Sequence, residues 1–141
     1  PHKALPLLQE MNFGAWEGMS FKEIEAADTH REAFAEWMRS GGDSSSTFTF
    51  PDGGDSVFSF FSRIKEGIKE LLGYQRLKEL SCRHNGSDAV SIVVCHGGVT
   101  AAAMEGFFPE EKETFWAWIP EPGHGYTVFF EGGEAVSYEA F

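Results

Sequence analysis

The chain has 141 residues, of which 42% are hydrophobic and 15% aromatic, and its formal net charge is −11. That length and composition suit one globular domain with a real core and exclude intrinsic disorder. The acid excess excludes general nucleic-acid binding, which needs a basic footprint.

In chain order, Ala4-Leu5-Pro6-Leu7-Leu8 reads as a short extended segment, an edge strand where proline is tolerated. Glu10 to Gly18 is a loop with two glycines and aromatics between them. Ser20 and Glu23 have capping-box spacing, which predicts a helix from about Phe21 to Ala27. A second helix is predicted from about His30 to Arg39, with Phe34, Trp37 and Met38 at helical spacing. Gly41 to Ser56 is irregular, and loops of that length serve as lids, bind ligands or are disordered. Asp55 or Ser56 caps a long helix whose Val57, Phe61, Ile64, Ile68, Leu71 and Leu72 form a core-facing stripe. That helix reaches Leu80 unless Gly73 breaks it, and a polar loop, Cys82 to Asp88, follows.

The central stretch is Val90-Ser91-Ile92-Val93-Val94-Cys95-His96-Gly97-Gly98-Val99. A short apolar run ended by a glycine pair predicts a buried strand with parallel neighbours. An alanine-rich helix follows to Phe107, so His96 stands at the carboxyl end of a strand, where open α/β sheets bind ligands. The N–H groups of the helix start, approachable at Gly97 and Gly98, suit an anion. A histidine that merely ends a strand is the plain alternative. Beyond Pro109, Glu110 to Trp118 is predicted as a short aromatic helix. Tyr126–Phe130 and Ala135–Tyr138 are predicted to form a hairpin around Gly132-Gly133. The alternation of helix and strand gives the class α/β.

No apolar run approaches the roughly 18 residues of a membrane helix, so no membrane partner is expected. Cys82 and Cys95 make no disulfide framework, and placing Cys95 in a buried strand predicts a reduced, cytoplasmic protein. The five histidines show no ligand spacing on one helix and there is no Cys/His cluster, so no metal is expected; no cofactor is expected either. A Cys95–His96 dyad is excluded because adjacent strand residues point to opposite faces. Serine-elbow and Walker motifs are absent. Two chemical segments remain. Glu10, set beside Phe13 and Trp16, is partly shielded from water, a setting that suits a general acid; a solvated loop carboxylate is the ordinary alternative. The other is Cys95-His96-Gly97-Gly98.

Taken together, Leu8-x-Glu10-x-x-Phe13-Gly14-x-Trp16-Glu17-Gly18, Pro51-x-Gly53-Gly54-Asp55-Ser56, Arg63 and Val94-x-His96-Gly97-Gly98-Val99 resemble the histidine phosphatase superfamily. The superfamily includes phosphoglycerate mutases and α-ribazole phosphatase-like enzymes, and the Trp-Glu-Gly tail is more similar to the phosphatase branch. The loop Pro122-Gly123-His124-Gly125 before the hairpin also resembles the family pattern. The resemblance implies a phosphomonoester hydrolase in which Glu10 is proton donor and then base, and His96 stabilises the phosphoryl oxygens. It places the Gly97 N–H on the same oxygens, with Asn12, Phe13 and His124 along a pocket for a small phosphorylated metabolite; an ordinary turn residue is the favoured alternative for His124. Arg63 matches a family position, and a structural ion pair is its expected role. Trp116 and Trp118 are expected to be core residues, with the pocket mouth or a dimer face as alternatives.

One departure is large. The resemblance implies an Arg-His-Gly nucleophile on a first strand and an arginine after a second, and neither occurs here. Residues 1–141 thus read as the C-terminal two-thirds of a three-layer α/β/α sandwich of phosphoglycerate mutase type, lacking its first two strands and at least about 30 residues. Because the chain starts at Pro1 without methionine, processing or truncation is expected. Without those strands the His96 strand lacks partners, at about 1–3 kcal/mol per unsatisfied buried group. The chain alone is therefore expected to be inactive, and an N-terminal segment or a second chain is expected to complete the sheet, with a homodimer as one arrangement. Two other functions stay open: a non-catalytic binding or assembly domain on the same fold, and a mutase-type phosphotransferase.

Overall fold

Ser20 starts the first helix as its spacing predicts: its hydroxyl accepts from the Glu23 N–H, and the Glu23 carboxylate accepts from the Ser20 N–H. In the computed structural model, which describes residues 2–141, this is α1 (Phe21–Ala26), followed by α2 (Arg31–Ser40). A second box, Ser56 with Ser59, opens α3 (Val57–Arg83). α3 runs unbroken through Gly73, which has open space where a Cβ would stand. A helical glycine costs only about 1 kcal/mol against alanine, too little to stop a helix anchored by Val57, Phe60 and Ile64. Then come α4 (Gly97–Phe107) and the antiparallel pair β1 (Tyr126–Glu131) and β2 (Glu134–Ala140). Gly132 and Gly133 both take positive φ at the hairpin turn.

The core lies where α3 meets α4 and α4 meets the short 3-10 turn Phe115–Trp118. Val57, Phe60, Ile64, Val99, Phe115 and Trp118 are fully buried there. α3 also rests on a 3-10 turn at Pro6–Leu8; a Cβ on Gly67 would stand 2.6 Å from Leu8 Cδ2, so glycine sets that approach. A second cluster joins Trp16, Trp37, Phe48 and Phe50, with ring centroids 5.1–5.8 Å apart. Such pairs contribute about 0.5–1.5 kcal/mol each beyond their area.

Several expectations are corrected. Leu5 to Leu8 is not an edge strand: Pro6 begins a 3-10 turn that the Leu8 N–H closes on the Leu5 carbonyl at 2.9 Å. The 41–56 loop is neither lid nor disordered, because Phe48 and Phe50 are core residues and Thr49 bridges to Ser56. The aromatic helix at 110–118 shrinks to the Phe115–Trp118 turn, and Glu110, with φ of +64°, takes a backbone conformation that no right-handed helix allows.

The largest correction concerns 90–95, which is neither a buried strand nor paired. Among the described residues the only sheet is the β1–β2 hairpin, so the three-layer sandwich is not formed by them. Parallel strands become buried when neighbours and helices cover both faces. Here, among the described residues, the segment is held by side chains alone: Gln75 Nε2 donates to the neighbouring Ala89 carbonyl at 2.7 Å, Ser91 Oγ donates to Gln75 Oε1 at 2.6 Å, the Lys78 ammonium reaches the Val90 carbonyl, and Cys95 Sγ lies 3.4 Å from Thr100 Oγ1 of α4. Ile92 and Val94 are 89% and 93% exposed. Cys95 is exposed too, which removes the burial from which a reduced compartment was read. No helix is long and apolar enough to cross a membrane among the described residues.

Candidate functional site

Glu10 follows the Pro6–Leu8 turn and is half-buried. Its carboxylate spans two backbone donors: Oε1 accepts from the Met11 N–H at 2.8 Å and Oε2 from the Gly98 N–H at 3.0 Å. Gly98 is the second residue of α4, where an N–H has no intrahelical acceptor and negative charge is favoured. A Cβ on Gly98 would lie 2.4 Å from Glu10 Oε1, so glycine is what admits the carboxylate. Two segments separated by 88 positions thereby meet at one helix end.

His96 is the N-cap of α4, with extended backbone, and its carbonyl accepts from Thr100 N at 3.0 Å and Oγ1 at 3.1 Å. Its imidazole is exposed and makes no hydrogen bond among the described residues. The Gly97 N–H is likewise without a partner among them. A carboxylate, an open backbone donor and an imidazole therefore gather within one turn of the α4 start, a set suited to proton transfer and to holding an anion.

The loop after Glu10 is stitched to the Pro51–Ser56 loop. The Ala15 N–H donates to the Pro51 carbonyl at 2.8 Å, and the Asp55 N–H to the Asn12 carbonyl at 2.8 Å. Gly14 has φ of +56°, and a Cβ there would stand 1.9 Å from the Pro51 oxygen. Asn12 spends its polar atoms inside this lacing: its Oδ1 accepts from the Gly14 N–H, its Nδ2 donates to the Gly53 carbonyl, and its N–H donates to Asp55 Oδ2. Phe13 packs edge-on against Phe50 at 5.1 Å. The Trp-Glu-Gly tail closes the loop on itself: Trp16 is core, Glu17 Oε1 accepts from the Phe13 N–H, and Gly18 has φ of +74°.

Sequence reasoning gave Arg63 only an ion pair. That pair exists, to Asp55 at 3.3 Å, but the guanidinium also donates to the carbonyls of Leu7 (3.0 Å), Gln9 (2.7 Å) and Glu10 (3.2 Å). His124 sits in an exposed turn, its ring against the Pro122 carbonyl, and no hydrogen bond links it to Glu10 or His96. Trp118 is core, and Trp116 Nε1 donates to the Gly41 carbonyl at 2.7 Å. Arg83-His84 lies at the far end of α3, about 30 Å from the Arg63 level at 1.5 Å per residue, too far to serve as nucleophile beside Glu10.

A family model, histidine phosphatase superfamily (branch 1), matches residues 1–138. The chain belongs to the histidine phosphatase superfamily. No curated protein and no solved structure matches it. Membership supports a phosphatase or phosphotransferase type of function.

Proposed function

We propose that these residues are the C-terminal two-thirds of a phosphomonoester hydrolase of α-ribazole phosphatase-like type, acting on a small phosphorylated metabolite through a phosphohistidine. The nucleophilic imidazole comes from polypeptide outside residues 1–141, as a preceding segment or a second chain that pairs with 90–95. In the first step a P–N bond forms, the ester P–O bond breaks, and Glu10 gives its proton to the leaving oxygen. In the second, Glu10 takes a proton from water, whose oxygen attacks phosphorus as the P–N bond breaks. His96 and the Gly97 N–H hold the phosphoryl oxygens through both steps.

The contact of Glu10 Oε2 with the Gly98 N–H carries this reading, because it sets the acid beside the helix start that would receive the phosphoryl group. Each carboxylate oxygen keeps a second lone pair for the proton. A hydrolase is favoured over a mutase by the Trp16-Glu17-Gly18 tail. Hydrolysis of p-nitrophenyl phosphate by the complete gene product tests it. Glu10→Ala is expected to lower turnover about 10²–10⁴-fold, and His96→Ala about 10²–10³-fold. Full activity in both variants overturns the assignment.

A further inference from the structure

The Arg63 guanidinium does more than neutralise Asp55. Nη1 donates to the carbonyls of Leu7 and Gln9, and Nη2 to the Glu10 carbonyl and Asp55 Oδ2. The same Asp55 oxygen accepts from the Asn12 N–H at 2.9 Å. One planar fork and its counter-ion thus fix the main chain on both sides of Glu10, at residues 7, 9, 10 and 12. Arg63 is itself carried on the first turns of α3, held in the core by Phe60 and Ile64. The segment 7–12 contains no hydrogen-bonded strand that would otherwise hold it. A carboxylate that must meet one N–H at 3.0 Å tolerates little drift of its backbone.

We propose that Arg63, backed by Asp55, is a positioning residue that aims the Glu10 carboxylate at the head of α4. The proposal rests on the reading of Glu10 as proton donor. Lysine cannot replace this arginine, because an ammonium is a point donor while the fork spans four oxygens.

Amide hydrogen exchange on this chain tests the proposal without any catalysis. The Gly98 N–H has no acceptor within α4, so its protection reports Glu10; the Thr100 N–H, bonded to the His96 carbonyl, serves as reference in the same helix. Glu10→Ala calibrates the released state. Arg63→Lys and Arg63→Ala are expected to speed Gly98 exchange at least about tenfold toward that level, with Thr100 unchanged. Gly98 protection equal to that of the parent in either folded variant overturns the proposal. So does global unfolding of both variants, which would assign Arg63 to fold maintenance alone. Loss of Gly98 protection together with a complete gene product that lacks phosphatase activity would sustain the positioning role and sink only the enzymatic reading.

Discussion

Gly98 has no side chain, and the space this leaves is occupied by a carboxylate. Alanine there would bring a methyl group to 2.4 Å from Glu10 Oε1, a clash with the end of a flexible side chain that can swing away. Helix propensity favours alanine over glycine by about 1 kcal/mol. In the complete gene product, Gly98→Ala is therefore expected to melt at or above the parent temperature while losing about 10²-fold or more in phosphatase turnover. A thermal melt paired with the p-nitrophenyl phosphate assay checks both halves; parent-level activity would show that the Glu10–Gly98 contact is dispensable. Glu10 and His96 stand out as candidates in the sequence because each sits in a short motif whose residue types have a chemical reason, and the structure brings the Glu10 carboxylate to the start of the helix that His96 caps. Arg63 was legible only as one half of an ion pair with no named partner, and Asp55 only as a candidate helix cap. Donors that bind main-chain carbonyls leave no trace in the side-chain pattern of their partners, since any residue supplies a carbonyl.

Elements set by local chemistry were readable, and those set by distant contacts were not. Ser20–Glu23 and Ser56 announced α1 and α3 because capping needs only residues three apart. The 41–56 loop misled because the alternation of Phe48 and Phe50 with threonines lasts only four residues among glycines and serines, and only the rings of Trp16 and Trp37 show where they go. The α1 cap also gives a pH prediction. Hydrogen bonds from the Ser20 N–H and then its hydroxyl hold the Glu23 carboxyl below its ordinary value of 4.5. A carboxyl lowered in the folded state contributes stability that is complete above its unfolded value and lost as pH falls through the folded one. Glu23→Ala should thus melt below the parent at neutral pH, and the gap should close as the series descends from 4.5 toward the acid limit. A gap that stays constant over that range would mean that the carboxylate's charge does not act at the cap.

Across the whole molecule the conflict is between a sequence written for burial and a fold that leaves it bare. Val90, Ile92 and Val94 have the β-branched character of a sheet interior, yet Ile92 and Val94 are almost fully exposed and the backbone of 91–95 is unpaired among the described residues. The β-branched composition that predicted a strand here is local, whereas pairing needs neighbours, and no strand forms over 90–95 among the described residues; only the family resemblance says what belongs beside the segment. An apolar row of this kind promotes association, which the net charge of −11 opposes between copies. Lysine at position 92 separates the possibilities. On an exposed segment Ile92→Lys changes stability by no more than about 0.5 kcal/mol, and it should raise the solubility of this chain with the melting temperature unchanged. In the complete gene product, where we propose that a neighbouring strand covers the row, the same lysine buries an unpaired charge at a cost of several kcal/mol. Melting this chain and the complete gene product side by side decides it: a large loss confined to the latter supports the covered strand, and equal tolerance in both would show that 90–95 stays at the surface.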